Sequence, residues 1–380
     1  MPPSTPAVPE RSDQHRPFGA VVLAGSHGWA GAHAPVLPPR PLAQVALRPL
    51  ISYALDWISE AGAAGATICA NGSSGLLRGA LGDWYAGLSL TYQQDRWPRG
   101  SAGCVRDASE QIAHRQILVV EGTLVPQLDL RALVDAHAAS GAAMTVVTSD
   151  GGPALPPRAA GIYVVERSAL ERIPAHGYHD IKENVIPALH AAGQRVLGYR
   201  LRGECRAVAT LDSYLDVNFW LVERLQSAGN LPAGIERVRP DGVIGHSSAI
   251  VDPEALCVGP VLVGKRARVQ AGATIVGPAV IGEGSDIEPG ALVSRSVIGR
   301  SCGIGSNAVV HGCMVGDGSK IEAGANLCHA LRLPKPSRWR WLAPAIAARR
   351  RARRPDRRRD SPVPVPIGSA ASVATRRAVS

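Results

Sequence analysis

Two glycine-containing segments of the chain could bring backbone N–H groups close to an anionic ligand. The first, Leu23-Ala24-Gly25, continues to Gly28, and the second is Gly100-Ser101-Ala102-Gly103. Arg40 adds a cation, and Glu121 adds a carboxylate at the end of an apolar run. Backbone amides of glycine-rich loops, cationic side chains and carboxylate-bound metal ions are the groups that chemistry on phosphates uses. Residues of these types could therefore serve an anionic ligand.

The elements that must position these residues alternate between strand and helix patterns. Phe18 to Gly25 is an apolar run that ends in glycine, which is typical of a buried parallel strand entering a loop. Leu50 to Ala61 has apolar residues at helical spacing, and Gly62 can end that helix. Similar strand-like runs occur at 66–70, 88–92, 117–120, 143–148 and 161–165, with a helical pattern at 130–139. The alternation predicts an α/β domain with a mostly parallel sheet, whose ligands lie at the carboxyl ends of strands.

A short internal repeat dominates the C-terminal half of the chain. Aliphatic residues or Cys recur every six positions, with two steps of five, at 251, 257, 263, 269, 275, 281, 287, 293, 298, 304, 310, 315, 321 and 327. Glycine often follows, as in Ile281-Gly282 and Ile298-Gly299. A period of six fits neither an α-helix nor the simple alternation of a strand. It is the hexapeptide signature of a parallel β-helix, in which each repeat places one aliphatic side chain in the interior.

The formal net charge of +10 would make nucleic acid the first guess for a partner, but the charge is unevenly distributed. Residues 331–380 hold 14 Lys or Arg and two Asp, a net charge of +12, which leaves the first 330 residues at −2. Like-charge blocks of this kind repel each other and usually stay disordered. The sequence therefore predicts no basic groove and no nucleic-acid partner. Trp339 and Trp341, interleaved with Arg, resemble an interfacial anchor that could contact anionic lipid.

These patterns predict five segments: a disordered N-terminus (1–17), an α/β domain (18–228), a connection (229–242), a hexapeptide β-helix (243–330) and a basic disordered tail (331–380). The proline-rich first ten positions contain no apolar core of a signal peptide, and no run of 18 apolar residues predicts a membrane span. Seven Cys without a CxxC pair suit reduced thiols. We therefore expect a cytoplasmic protein.

Motifs from about Ala20 to Glu223 resemble the sugar-phosphate nucleotidyltransferases, the pyrophosphorylases that make nucleoside-diphosphate sugars, and mannose-1-phosphate guanylyltransferase in particular. The family opens with L-A-G-G-x-G-T-R-L and continues to P-K-P-L, and the same spacing is found here from Leu23 to Leu42. Gly100 to Gly103 resembles the G-T-A-G loop of the family. Later matches follow in order at 119–123, 161–164, 181–189 and 207–215. The resemblance implies a Rossmann-like nucleotide-diphospho-sugar transferase domain, followed by a left-handed β-helix.

The resemblance also implies a reaction and a site. The family joins a sugar 1-phosphate to a nucleoside triphosphate and releases pyrophosphate, with Mg²⁺ held by two aspartates. In this chain the loop Arg of the family falls on Ala30, the Lys of P-K-P-L on Arg40, and the two metal aspartates on Thr123 and Ala207. Trp29 adds bulk to the first loop. We expect no confident catalytic residue, and no metal site unless Glu121 substitutes as a ligand.

Other polar residues near these motifs have simpler explanations. His27 and His33 flank the first loop and could meet phosphate, although surface loop histidines account for them better. Asp180 and Glu183 precede an apolar helical run with the D-x-x-E spacing of a capping box. Lys182, between them, is expected to be exposed.

Three functions are compatible with the sequence. The first is a catalytically impaired, regulatory or scaffolding protein of nucleotide-sugar and surface polysaccharide biosynthesis. It would bind a nucleotide sugar or sugar phosphate and assemble with itself or with an active paralogue. The second is an active sugar-1-phosphate nucleotidyltransferase that uses Mg²⁺. The third is a hexapeptide acyltransferase with His311 as its base, which would leave the N-terminal half unexplained.

Overall fold

The computed structural model describes residues 18–25, 37–94, 97–149, 158–201 and 205–334. The N-terminal α/β part contains the strands β1 (Gly19–Leu23), β2 (Gln44–Val45), β3 (Arg48–Pro49), β4 (Gly65–Ala70), β5 (Trp84–Tyr85), β6 (Leu88–Gln94), β7 (Gln116–Glu121), β8 (Leu124–Val125), β9 (Met144–Ser149), β10 (Arg158–Glu166), β11 (Val196–Arg200) and β12 (Arg206–Ala207). Its helices are α1 (Ile51–Glu60), α2 (Ser74–Leu81), α3 (Gly100–Ser109), α4 (Leu130–Ser140), α5 (Arg167–Leu170), α6 (Ile186–Ala191) and α7 (Leu211–Ser227), with a 3₁₀ turn at Arg40–Leu42 and a π-helical turn at Ile181–Val185.

Eight strands form the main sheet in the order β11-β9-β10-β7-β1-β4-β6-β5. The centre is parallel, because β1 pairs in parallel with both β4 and β7, and β4 with β6. The sheet is nevertheless mixed, since β10 runs antiparallel to both β7 and β9. Only residues 150–157 separate β9 from β10, which is too short for the crossover that a parallel pair needs. The expectation of a mostly parallel sheet is therefore corrected to a mixed sheet with a parallel centre.

The sheet is buried on both faces, which explains the continuous apolar runs. Successive side chains of β1 point to opposite sides, so Val22 packs with α1, α2 and α4, whereas Val21 packs with α3, α5 and α6. In β7, Leu118 and Val120 likewise face the first layer, and Ile117 and Val119 face the second. The core of the α/β part is thus a sheet between two helical layers.

The C-terminal half is a left-handed parallel β-helix with three sheets. Its strands are β13 (Ile235–Arg237), β14 (Val243–His246), β15 (Ile250–Val251), β16 (Leu256–Val258), β17 (Val261–Val263), β18 (Arg268–Val269), β19 (Thr274–Val276), β20 (Ala279–Ile281), β21 (Asp286–Ile287), β22 (Leu292–Ser294), β23 (Val297–Ile298), β24 (Gly303–Ile304), β25 (Val309–His311), β26 (Met314–Val315), β27 (Lys320–Ile321), β28 (Asn326–Cys328) and β29 (Leu331–Arg332). Every third strand pairs in parallel from β14 onwards, so one coil takes three hexapeptides.

The interior of the β-helix confirms the hexapeptide pattern. In one column, Val251 stacks on Val269 and Val269 on Ile287, so successive partners are three hexapeptides apart. The column continues to Ile304 and Ile321. Each of these last steps is one residue shorter, because one of its three repeats has five residues. All fourteen predicted positions belong to the interior cluster, with Val251 and Leu327 at its two ends.

Helix α7 joins the α/β part to the β-helix. Its residues Tyr214, Phe219 and Val222 pack on an outward column of the seven-stranded sheet, in which Leu262 and Val280 are central. This sheet is therefore covered on both sides, and the two parts belong to one compact unit of the chain. Strand β13 lies within the segment predicted as the connection and pairs antiparallel with β14. Strand β29 extends two residues beyond the predicted end at 330.

None of the helices among the described residues is both long and apolar enough to span a lipid bilayer.

Replacing Ile287 by Ala should show how much the interior column contributes. Ile287 is fully buried, so the cavity and the lost apolar contact should lower the free energy of unfolding by about 2–5 kcal/mol. Ile250→Ala is the matched control, because Ile250 lies in the same sheet but is 55% exposed. Equilibrium unfolding in urea would measure both, and equal losses would contradict the assignment of Ile287 to the interior.

The buried side chain of His137 should make the free energy of unfolding depend on pH. Its Nδ1 lies 2.8 Å from Thr145 Oγ1 and its Nε2 lies 3.4 Å from Glu166 Oε1, while Arg115 donates to the other oxygen of Glu166, Oε2. Burial lowers the pKa of His137, against the opposing charge of Glu166. The unfolded chain therefore binds the proton first, and the free energy of unfolding should fall as pH drops below about 6.5.

The comparison for this effect is His137→Gln, measured across pH 5 to 8. Gln can keep a hydrogen bond to Thr145 but does not titrate, so its stability should change less steeply over this range. A slope identical to that of the parent protein would assign the pH dependence to other groups.

Candidate functional site

The first motif lies at the carboxyl ends of the central parallel strands. Leu23 pairs with Glu121 across β1 and β7, and the Gly122 amide donates to the Leu23 carbonyl over 2.9 Å. On the other side of β1, the Ala24 amide donates to the carbonyl of Cys69, near the end of β4, over 2.8 Å. Leu23, Ala24 and Gly25 are thus held between two strands at the edge where parallel sheets bind ligands.

Gly25 is packed closely against Asn71, the residue that follows β4. A Cβ atom at Gly25 would lie 2.7 Å from Asn71 Cγ, so no side chain fits there without displacing Asn71. The rest of the first loop, with Gly28, Ala30, His27 and His33, lies outside the described residues.

The two positions that the resemblance assigns to metal aspartates lie side by side. Strand β12 pairs antiparallel with β8, which places Ala207 opposite Leu124. Next to this pair the Val208 amide donates to the Thr123 carbonyl over 3.0 Å. The ribbon therefore brings positions 123 and 207 close together along the backbone, where a Thr and an exposed Ala stand.

These residues do not fit a divalent metal of the Mg²⁺ type. Mg²⁺ requires oxygen ligands and is usually held in proteins by one or two carboxylates, whereas Thr123 offers a neutral hydroxyl and Ala207 offers nothing. Within the described ranges, no group of three or more His, Cys, Asp or Glu side chains could hold a metal ion. Glu121 is the nearby carboxylate, and its surroundings are cationic.

Arg40 also contacts this part of the chain through its side chain. It opens the 3₁₀ turn Arg40–Leu42, and its Nη1 donates to the carbonyls of Val208 and Ala209 over 3.2 and 3.4 Å. Burial lowers the pKa of Arg40, while the charge of Glu121 opposes that shift. A guanidinium is thereby fixed beside Ala207, where the resemblance would place a carboxylate.

The Glu121 carboxyl packs against Gly161 and lies near the cationic side chain of Lys182. Its Oε1 lies 3.9 Å from Lys182 Nζ. Gly161 has a φ of +80°, and a Cβ there would lie 2.8 Å from Glu121 Cδ. Burial, and secondarily the charge of Glu121, raise the pKa of the Cys205 thiol to about 12, so this thiol stays protonated. Glu121 is thus a carboxylate near Lys182, and its charge also acts on the Arg40 guanidinium.

The second glycine-containing motif is occupied by the chain itself. Gly100 to Gly103 forms the first turn of α3, and the amides of Ala102 and Gly103 both donate to the His179 carbonyl, over 2.9 and 3.3 Å. Ser101 Oγ donates to Asp180 over 2.8 Å. A Cβ at Gly100 would collide with the His179 carbonyl. These amides were expected to face a ligand, but they anchor the 177–180 segment.

Asp180 caps the turn that follows, as the spacing predicted, but the return bond differs. Its Oδ1 accepts from the amides of Lys182 and Glu183 over 2.7 and 3.2 Å. The Asp180 amide donates to Asn184 Oδ1, not to Glu183 as a capping box would require. The turn is π-helical, with the Val185 amide bonded to the Asp180 carbonyl five residues back, so the wider turn brings Asn184 into place.

Sequence reasoning missed three contributors to this site: Asn71, Gly161 and the contact of Lys182 with Glu121. The glycine within the strand pattern at 161–165 was a usable signal, since an isolated glycine in a strand often marks a close approach. Lys182 is 52% exposed, as expected, yet its Nζ lies 3.9 Å from Glu121 Oε1. Nothing in the local sequence pairs it with a residue 61 positions earlier.

His311, the proposed acyltransferase base, lies on the β-helix and outside this site. It is part of β25, in the sheet that contains β16 and β28, and its ring stands edge-on to His329 at 5.1 Å between centroids.

Two family models match the chain. The model of the nucleotidyl transferase domain matches residues 37–162, and the model of the GMPPB C-terminal domain matches residues 240–335. The first therefore covers most of the sheet, and the second covers the β-helix.

The chain is also similar to curated relatives and to a solved structure. The chain is 27% identical over 280 residues to the mannose-1-phosphate guanylyltransferase of Mycobacterium tuberculosis, covering 67% of this chain and 77% of that protein. It is 19% identical over 195 residues to the D-glycero-alpha-D-manno-heptose 1-phosphate guanylyltransferase of Aneurinibacillus thermoaerophilus, covering 51% and 80%. The crystal structure of HddC from Yersinia pseudotuberculosis aligns with a TM-score of 0.47 at 12% identity, over 54% of this chain and 99% of that one.

The two domain models and the curated relatives support the resemblance to the sugar-phosphate nucleotidyltransferases, with a nucleotidyltransferase-like domain followed by a β-helix.

Replacing Gly161 by Ala should show whether the position of the Glu121 side chain depends on a glycine at residue 161. The positive φ and the contact with Glu121 should lower the free energy of unfolding by about 1–2 kcal/mol. Gly198→Ala is the matched control, because Gly198 lies in β11 with open space around its Cβ. In thermal unfolding, combining Gly161→Ala with Glu121→Ala should cost less than the sum of the two, and strict additivity would contradict the contact.

Proposed function

We propose that the protein is a catalytically impaired member of the family that acts in nucleotide-sugar and surface polysaccharide biosynthesis as a regulatory or scaffolding subunit. The observation that carries the proposal is the ribbon of β8 and β12. It keeps the two backbone positions of a metal site adjacent, yet Thr123 and Ala207 provide no carboxylate. The bound ligand would be a nucleotide sugar or a sugar phosphate.

The chemistry of the family makes this loss decisive. Joining a sugar phosphate to a nucleoside triphosphate brings two anionic groups together and builds negative charge on the departing pyrophosphate. Removing one preorganised group that stabilises such charge commonly costs about 10²–10³ in rate. Here the loop Arg is replaced by Ala30 as well, so three charge-stabilising positions are changed. Binding needs fewer of these contacts than turnover does, and it can survive their loss.

Assembly and location are further parts of the proposal. We expect the chain to associate with itself or with an active paralogue, and the β-helix offers an exposed apolar patch for such contact: Leu256 is 57% and Val258 50% exposed on β16. We also expect a cytoplasmic protein that contacts membrane through its Arg/Trp tail. That tail, from residue 335 onwards, lies outside the described residues.

The two alternative functions give different outcomes in assays. An active nucleotidyltransferase would have to recruit Glu121 as a metal ligand, which the facing cations Arg40 and Lys182 disfavour. An acyltransferase would use His311 and acyl-coenzyme A. The match of residues 240–335 to the GMPPB C-terminal domain accounts for a β-helix in this chain without that activity.

Pyrophosphate release is the direct test. With Mg²⁺, GTP or ATP and mannose or glucose 1-phosphate, the protein should turn over more than about 10²-fold slower than an active relative assayed in parallel. These substrates follow the names of the relatives given above. A glucose-1-phosphate adenylyltransferase of Desulfitobacterium hafniense, 25% identical to this chain over 311 residues, adds ATP and glucose 1-phosphate. Turnover at the rate of the relative, abolished by Glu121→Ala, would overturn the proposal.

A constructive version of the same test restores the missing groups. The triple variant Ala30→Arg, Thr123→Asp and Ala207→Asp should gain Mg²⁺-dependent pyrophosphate release, because the backbone at 123 and 207 already has the required proximity. The control omits Ala207→Asp and should gain less. A triple variant that folds but stays inactive would argue that these positions do not correspond to those of the family.

A further inference from the structure

The candidate pocket contains fixed positive charge where the family would use a metal ion. The Arg40 guanidinium is anchored to the Val208 and Ala209 carbonyls, directly after Ala207. Lys182 approaches from the π-helical turn and is half exposed. Both cations face Glu121, whose charge acts on the pKa of Arg40 and whose Oε1 lies 3.9 Å from Lys182 Nζ. The two cations leave a net charge of +1 after Glu121 is counted.

Glu121 is held as their counter-ion by its surroundings. Its carboxyl lies over Gly161, in space that a side chain at that position would fill. The contact with Lys182 is long, and both side chains are open to solvent, at 52% and 38% exposure. Exposed pairs of this kind contribute about 0–1 kcal/mol. A ligand group with more negative charge than a carboxylate can therefore displace Glu121 at small cost.

We propose that the pocket binds the diphosphate of a nucleotide sugar without a divalent cation, with Arg40 and Lys182 supplying the positive charge and Glu121 competing for it. The inference rests on the proposed function, since it concerns the same pocket and the same class of ligand. It assigns Glu121 a role opposite to that of a metal ligand: its carboxylate opposes the ligand.

The sign of one substitution separates the two roles. If Glu121 competes with the diphosphate, Glu121→Gln removes repulsion and releases both cations, so binding tightens. If Glu121 holds a metal, the same substitution weakens binding. Lys182→Gln should weaken binding under the proposal. Arg40 is left unchanged in the experiment, because its guanidinium also secures the backbone at Val208 and Ala209.

Isothermal titration calorimetry of the full chain with GDP-mannose and with ADP-glucose tests the proposal, each in excess EDTA and again with Mg²⁺. Affinity should be the same in both conditions and should fall as NaCl is raised. Glu121→Gln should tighten binding, and Lys182→Gln should weaken it, by about two- to fivefold each, the size of an exposed charge contact. The matched controls are Glu183→Gln, an exposed carboxylate in the same turn, and Lys320→Gln on the β-helix.

Each contrary outcome has a distinct meaning. Binding that requires Mg²⁺ and is lost in Glu121→Gln would overturn the metal-independent mode and leave ligand binding, as part of the proposed function, intact. Binding unaffected by either pocket substitution would overturn the roles of Glu121 and Lys182. If neither nucleotide sugar binds in EDTA or in Mg²⁺, while circular dichroism shows a folded protein, both the inference and the ligand-binding part of the proposed function fail.

Discussion

The apolar contact of α7 with the seven-stranded sheet of the β-helix is the constraint on which the candidate site depends. One surface of α7 covers Leu262 and Val280. The same helix packs on Val125 of β8 and Val208 beside β12, and so fixes the ribbon that carries the site. Its Asn218 and Tyr214 also bind the backbone of the β2–β3 hairpin, at Ala46 and Gln44, next to the turn that begins with Arg40. The β-helix thus supports the site through one helix.

This arrangement means that the backbone geometry at positions 123 and 207 does not depend on acidic side chains there. The relative positions of Thr123 and Ala207 follow from backbone pairing and from apolar packing under α7, and neither needs an acidic side chain. Two aspartates close together repel each other unless a cation neutralises them. Thr123 and Ala207 remove that repulsion, and Arg40 supplies hydrogen bonds to the ribbon instead. Folding constraints therefore maintain the frame, and they do not maintain the ligands.

Much of the fold could be predicted from the sequence because its periodicities report burial directly. The hexapeptide positions are an example: a residue such as Ile287 is interior because every coil repeats the same turn. The runs at 18–25 and 117–120 indicated strands because both faces of the sheet are covered. The antiparallel β10 was not predicted, since strand direction depends on connection length and pairing and leaves no periodicity. The coverage of one β-helix face by α7 was also invisible, because it is a long-range contact.

The sequence predicted only part of the candidate site, because motif spacing identifies single residues and only the tertiary structure decides which of them meet. Motif spacing brought Thr123, Ala207 and Arg40 to attention as separate positions, and backbone pairing brings them together. The amides of Ala102 and Gly103 were expected to be available, but a carbonyl from residue 179 takes both. A glycine-rich turn creates donors, and only the tertiary structure decides whether a ligand or the chain accepts from them. Glu121 follows the same rule: the order of the motifs offered it as a substitute metal ligand, and only the tertiary structure places Lys182 Nζ 3.9 Å from its Oε1.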